Sequence, residues 1–202
     1  MAPAGIEVGL GVKPSSIYRI YEQGSLNRTE NPMDLAIQGE GFYQVMLPDG
    51  RIAYSRDGSF KRSSDGTVVN TSGYQVYPEI VIPEGASEFT VDANGRVSVI
   101  LAGEETSTEI GQMELARFIN PAGLKSLGGN LYSVTDASGE PVIEMPGEYG
   151  MGMIMQKYTE ASNVQIVEEM VNMISAQRAY EIVSKSIQVS EEMLQVANNL
   201  KR

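Results

Sequence analysis

The apolar and polar positions divide the chain into regions of different periodicity. From Leu35 to about Gly150, short runs of alternating apolar and polar residues are separated by turn dipeptides: Asp49-Gly50, Asp57-Gly58, Asp65-Gly66, Ser72-Gly73, Asn94-Gly95 and Ser138-Gly139. Short strands joined by tight turns are the mark of antiparallel sheet. The clearest hairpin is EFTVDANGRVSVIL, in which Phe89 and Val91 alternate with polar neighbours, Asp92 to Gly95 turn, and Val97, Val99 and Leu101 return on one face. Tyr43, Val45 and Leu47 alternate likewise before the turn at Pro48 to Gly50. Prolines at 78, 83, 121, 141 and 146 suit edges and loops. Residues 1–34, rich in Gly, Pro, Ser and Asn, read as an extended connector with a strand at Ser16–Tyr21, and residues 151–162 as a linker.

Residues 163–202 carry a helical pattern. Ser162 or Asn163 can cap the first turn, and Ser162 with Gln165 is a capping-box pair. No proline or glycine follows before Leu200, so one helix of roughly 55 Å is predicted. Ile166, Met173, Tyr180, Ile187 and Leu194 repeat every seven residues, with Ala176, Val183 and Ala197 completing an a/d seam that Glu169 and Ser190 interrupt. Val164, Val167, Val171 and Ile174 form a second apolar set on another face. A helix apolar on two sides needs more than one partner. Met151, Met153 and Met155, followed by Met170 and Met173, add adaptable apolar surface. Gln177, Arg178 and Glu181 are the polar members; the last two read as an intrahelical or solvated pair, as a register-setting polar contact in a helix interface, or as both together. The fold class is therefore mainly β: an irregular antiparallel β domain over 35–150, with an extended lead-in and one long C-terminal α-helix.

Composition removes several chemistries. The 202 residues hold 15 Lys+Arg against 26 Asp+Glu, a net charge of -11, which disfavours nucleic acid and anionic membrane surfaces. With neither histidine nor cysteine, Ser-His-Asp, Cys-His and His-metal sites are excluded. No apolar run approaches the roughly 20 residues of a membrane span, and the start lacks the pattern of a cleavable signal peptide. Gly39 to Gly41 is followed by FYQVML, a strand and not a helix, so these glycines are read as backbone necessities and not as a nucleotide loop. The acidic pairs Glu104-Glu105, Glu168-Glu169 and Glu191-Glu192 read as solvated charge. SSDGT at Ser63 to Thr67 is a turn without the ligands of a calcium loop. No catalytic residue, cofactor or metal is expected.

Three segments carry a resemblance: NPMDLAIQGEGFYQVMLPDG, AYSRDGSF and EASNVQIVEEMVNMISAQRAYEIVSKSI. The chain resembles the rod and hook proteins of the bacterial flagellar axis; its length is rod-like, AQRAYEIVSK and NNLKR are more similar to the distal-rod type, and a proximal-rod or hook-type protein is the alternative. Asn31, Pro32, Asp34, Gly39, Gly41 and Phe42 are the motif positions of the first segment. The resemblance implies an outer β domain (D1) and an inner helical domain (D0), of which the chain holds the C-terminal half. Family members open with an N-terminal helix, whereas this chain opens with MAPAG, as a fragment would. The expected function is structural. Copies would stack helically into a hollow drive shaft, in contact with proximal rod and hook proteins and with the L- and P-ring bushing. Delivery to the periplasm would run through the type III export apparatus. The expected assembly residues are Ser162, Asn163, Ile166, Val167, Met170, Val171, Met173, Ile174, Gln177, Arg178, Tyr180, Glu181, Val183, Ile187 and Leu194. The other classes weighed are a peptidoglycan hydrolase and a carbohydrate-binding β module.

Overall fold

The computed structural model describes residues 13, 15, 19–103 and 106–199. The chain divides after Glu160 into two units. The first holds strands β1 (Leu26–Arg28), β2 (Leu35–Gln38), β3 (Phe42–Met46), β4 (Ile52–Ser55), β5 (Lys61–Arg62), β6 (Val68–Val69), β7 (Gln75–Tyr77) and β8 (Ala86–Val91). It continues with β9 (Arg96–Leu101), β10 (Ser107–Gln112), β11 (Leu115–Arg117), β12 (Lys125–Gly128), β13 (Leu131–Ser133), β14 (Val142–Glu144), β15 (Met153–Gln156) and β16 (Tyr158–Glu160). The second unit is the helix α1 (Ile166–Asn199). Among the described residues every strand pairing is antiparallel.

Strand β3 organises the largest sheet. It pairs with β4 on one side and with β7 and β11 on the other. Consecutive strand residues face opposite ways, and both faces of β3 are covered: Phe42, Tyr43, Gln44 and Val45 are all buried. Alternation alone marked only Tyr43, Val45 and Leu47. Tyr43 stands edge-on to Phe60 with ring centroids 5.1 Å apart, in a core with Leu35, Ile37, Val97, Val99 and Ile154. Phe42 belongs to a second cluster, edge-on to Phe118 at 5.7 Å and to Tyr21 at 6.1 Å.

The hairpin at 88–101 forms as the alternation predicts. Phe89 lies opposite Val99 and Val91 opposite Val97, and Val91, Val97 and Val99 are buried. Five of the six turn glycines adopt left-handed φ, between 77° and 85°. Gly58 differs. A Cβ there would lie 1.7 Å from the Leu35 carbonyl oxygen, so this glycine serves the close approach of two backbones, and the Leu35 N–H donates to its carbonyl at 3.0 Å.

The lead-in and the presumed linker depart from expectation. Ser16, Ile17 and Tyr18 of the anticipated strand lie outside the described residues, and Arg19 to Tyr21 form no strand. The strand sits instead at β1, paired with β16 in the register Leu26↔Glu160 to Arg28↔Tyr158. Likewise 151–162 is not merely a linker, because β15 pairs with β2 from Met153↔Gln38 to Gln156↔Leu35. The two short ladders are consecutive. Between them the segment 29–34 bulges out opposite the single residue Lys157, whose φ is +65°. Each edge satisfies the backbone of a segment far away in sequence, a pairing that leaves no local periodicity to read. Glu104, Glu105, Leu200 and the side chain of Ala197 lie outside what the structure describes.

Candidate assembly interface

Strands β1 and β16, far apart in sequence, lie side by side, and a polar knot ties them. Arg56 Nε donates to Glu160 Oε2 at 2.7 Å. Its Nη1 donates to the Gly41 carbonyl at 2.7 Å, and its Nη2 to the carbonyls of Gly39 at 2.6 Å and Ile37 at 3.2 Å. The other Glu160 oxygen accepts the Gly24 N–H at 3.0 Å. Gln23 spans the same loop, its Nε2 donating to the Ile37 carbonyl at 2.7 Å and its Oε1 accepting the Gly39 N–H at 3.0 Å. Both charged groups are largely buried, with side-chain exposures of 25% and 12%. A buried pair is sustained only when its remaining hydrogen-bonding capacity is met, and here it is.

The motif residues build this joint. Asn31 Oδ1 accepts the Met33 N–H at 3.1 Å, and Asn31 Nδ2 donates to Asp34 Oδ1 at 2.8 Å. The Asp34 carbonyl accepts the Lys157 N–H at 2.7 Å, and the Pro32 carbonyl accepts from Gln156 Nε2 at 2.8 Å. Gly39 has φ +112°, and a Cβ on it would lie 2.9 Å from Gly152 Cα. Gly41 has φ +140°, with Leu115 Cδ1 at 3.2 Å from such an atom. Phe42 anchors the aromatic cluster that holds Tyr21 of the lead-in. Arg56, Glu160 and Gln23 were not singled out from sequence; Arg56 stands within AYSRDGSF, where a cation between a strand and a turn looks solvated.

Beyond Glu160, Ser162 Oγ accepts the Val164 N–H at 3.2 Å, while the Gln165 carbonyl accepts the Glu169 N–H at 3.0 Å. The helix thus begins later than expected. Ser162 makes a two-residue turn in place of the capping box, a local alternative open to any serine. Glu168 and Glu169 in the first turn favour the helix dipole.

Every expected interface residue on α1 is exposed: Ile166, Val167, Met170, Val171, Met173, Ile174, Gln177, Arg178, Tyr180, Glu181, Val183, Ile187 and Leu194. Ile166 is 74% and Tyr180 77% exposed. Ser162 and Asn163 are exposed before it. At 100° per residue, Ile166, Met173, Tyr180, Val183, Ile187 and Leu194 form one slowly drifting stripe, and Val167, Val171 and Ile174 lie roughly opposite its middle. The second stripe is longer than its first-half members suggested, because Ile182, Val189 and Val196, also exposed, continue it. Arg178 and Glu181 form no ion pair with each other. Ser186 and Ser190 turn their hydroxyls back to the carbonyls of Ile182 and Ser186, each at 2.8 Å. Covering each large apolar side chain would contribute about 1.5–3 kcal/mol. A single helix cannot cover its own two faces, so the arrangement fits lateral association with other helices.

Two family models match: the D1 domain of the flagellar hook protein FlgE/F/G over residues 36–99, and the C-terminal region of the flagellar basal-body rod proteins FlgEFG over residues 155–200. Among relatives, the flagellar basal-body rod protein FlgG of Buchnera aphidicola from Schizaphis graminum is 50% identical over 198 residues, 98% of this chain and 76% of the relative. The protein of that name from Borreliella burgdorferi is 49% identical over 204 residues, covering 100% and 77%. That of Bacillus subtilis is 36% identical over 201 residues, covering 97% and 75%. The chain belongs to the flagellar rod and hook protein family. Within this family the C-terminal match begins inside β15, so β16 with Glu160 and the helix fall in one matched unit. The D1 match takes in β2, the Gly39–Gly41 loop and Arg56. The polar knot therefore joins the two matched regions.

Proposed function

We propose that this chain is a structural subunit of the flagellar distal rod, polymerising helically into a rigid hollow shaft that transmits torque from motor to hook. The observation that carries the reading is α1, a 34-residue helix with exposed apolar stripes on two faces, in a chain similar to basal-body rod proteins. A contact between two different surfaces of one chain that does not close into a ring extends as a filament. In this reading the pairing of β1 with β16 and the knot of Arg56 and Glu160 stiffen the β unit where the chain leaves it towards α1. The partners in this reading are further copies of the chain, the proximal rod and hook proteins at either end, and the L- and P-ring bushing around the periplasmic shaft. Delivery is through the type III export apparatus, and catalysis plays no part. No observation favours a hydrolase or a carbohydrate-binding module; Glu168, Glu169, Glu191 and Glu192 stand exposed on the helix.

The reading is tested with Ile174→Asp and Ile187→Asp. Both are expected to abolish polymer growth while the β unit keeps its circular dichroism and melting temperature. Normal filaments from either variant overturn it.

A further inference from the structure

The β unit has an apolar tip of its own. Among the described residues strand β14 pairs only with β11 and so forms a sheet edge, and its Val142 and Ile143 are exposed. Met145, Tyr149 and Met153 continue the apolar surface along the following loop. That loop is held by its backbone: the Gly147 N–H donates to the Gly152 carbonyl at 3.1 Å, the Met151 N–H to that of Glu148 at 2.8 Å, and the Gly152 N–H to that of Glu40 at 2.7 Å. Pro146 and Met151 are buried beneath it. Tyr149 is 78% exposed at the outside of this loop, with φ +47°. Sheet edges are ordinarily blunted with charge or proline. This one carries Val, Ile, Met and Tyr, with Glu140, Glu144 and Glu148 around them.

The second stripe of α1 has the opposite character. Val171, Ile174, Ile182 and Val189 surround two exposed cations, Arg178 and Lys185, roughly 10 Å apart along the axis. Among the described residues neither enters an ion pair. In a protein of net charge -11, copies repel at long range, and a stable contact must set its few free cations against carboxylates.

We propose that α1 of a second copy docks on this tip, its second stripe against Ile143, Met145 and Tyr149, with the cations of that stripe, Arg178 foremost, facing Glu148. The inference rests on the assembly reading and names the surface that the β unit contributes to it. The two surfaces differ, so the contact is heterologous and propagates.

The test uses the purified chain with a photoreactive benzoylphenylalanine at position 149, in a mixture of isotopically heavy and light copies. The expected result is mixed heavy–light cross-links to peptides spanning 174–189. Tyr149→Gly, which suits the left-handed backbone, should keep the fold and weaken self-association. Glu148→Lys and Arg178→Glu should each weaken it about tenfold, and their combination should recover most of that loss. Cross-links confined to the β unit, cross-links only within one copy, or charge reversals that add without recovery overturn the docking. If the unmodified chain does not self-associate at any concentration, the assembly reading fails and this contact with it. If it self-associates and none of the three variants changes that, only the tip docking fails.

Discussion

At Glu160 both carboxylate oxygens are engaged, one by Arg56 and one by a backbone N–H of the lead-in. At Ile166, a short distance along the chain, an apolar side chain stands about three-quarters exposed. The joint and the helix thus differ in where their complement lies. In the joint, Arg56, Glu160 and Gln23 find their partners within the chain, and the glycines let two backbones come close enough for this to happen. In the helix, the apolar side chains of both stripes stand exposed. A chain that meets the polar needs of its joint and leaves two apolar stripes open is what the assembly reading requires.

The comparison is broken most severely from the β side. Gly58→Ala forces a Cβ into the Leu35 carbonyl, and is expected to cost roughly 3 kcal/mol or more in urea unfolding. The polar knot comes next. Arg56→Met strands one Glu160 oxygen and the carbonyls of Gly39 and Gly41, while the Ile37 carbonyl keeps its bond from Gln23. With both side chains partly open to solvent, a loss of about 2–3 kcal/mol is expected. Amide exchange should then rise first at residues 24–28 and 158–160, and later in β3. On the helix side, Val171→Asp or Ile182→Asp should change β-unit stability by no more than about 0.5 kcal/mol while preventing polymer growth, which sedimentation would read.

The smallest expected effect lies in the core. The Tyr43 hydroxyl is buried with no hydrogen-bond partner among the described residues, and burial pushes its pKa well above the ordinary phenol value. Tyr43→Phe should raise stability by about 1 kcal/mol. The raised folded-state pKa also fixes a sign. The native state holds this proton more tightly than the unfolded chain, so the corresponding stability is full below about pH 10 and falls as pH rises above it. Tyr43→Phe should therefore flatten the alkaline limb of the stability profile, and an unchanged limb would contradict the assignment.

What sequence revealed and what it hid follow the range of the interactions. The hairpin from Glu88 to Leu101 and the turns at Gly50, Gly66, Gly73, Gly95 and Gly139 are local, and their residues announce them. The need for backbone room at Gly39 and Gly41 was legible as well, since no helix follows those glycines. The ladders of β1 with β16 and of β2 with β15 were hidden, because each strand is short and its partner lies near the other end of the chain. Arg56 was hidden for the same reason: nothing near it in sequence says that Glu160 is its neighbour. On the helix the heptad of Ile166, Met173, Tyr180, Ile187 and Leu194 was plain. Ile182, Val189 and Val196 also repeat every seven residues, but they follow Ile174 after a step of eight, so that the continuation of the other stripe was missed.

The central claim is that the β unit is complete in itself, whereas α1 becomes so only among other copies. Hydrogen exchange of the same chain, dilute and then assembled, tests it most directly. In dilute solution the amides of β3, β4 and β9 should be strongly protected and those of α1 should exchange with little protection; on assembly α1 should slow by orders of magnitude. Strong protection of α1 in the dilute chain, unchanged on assembly, would contradict the account.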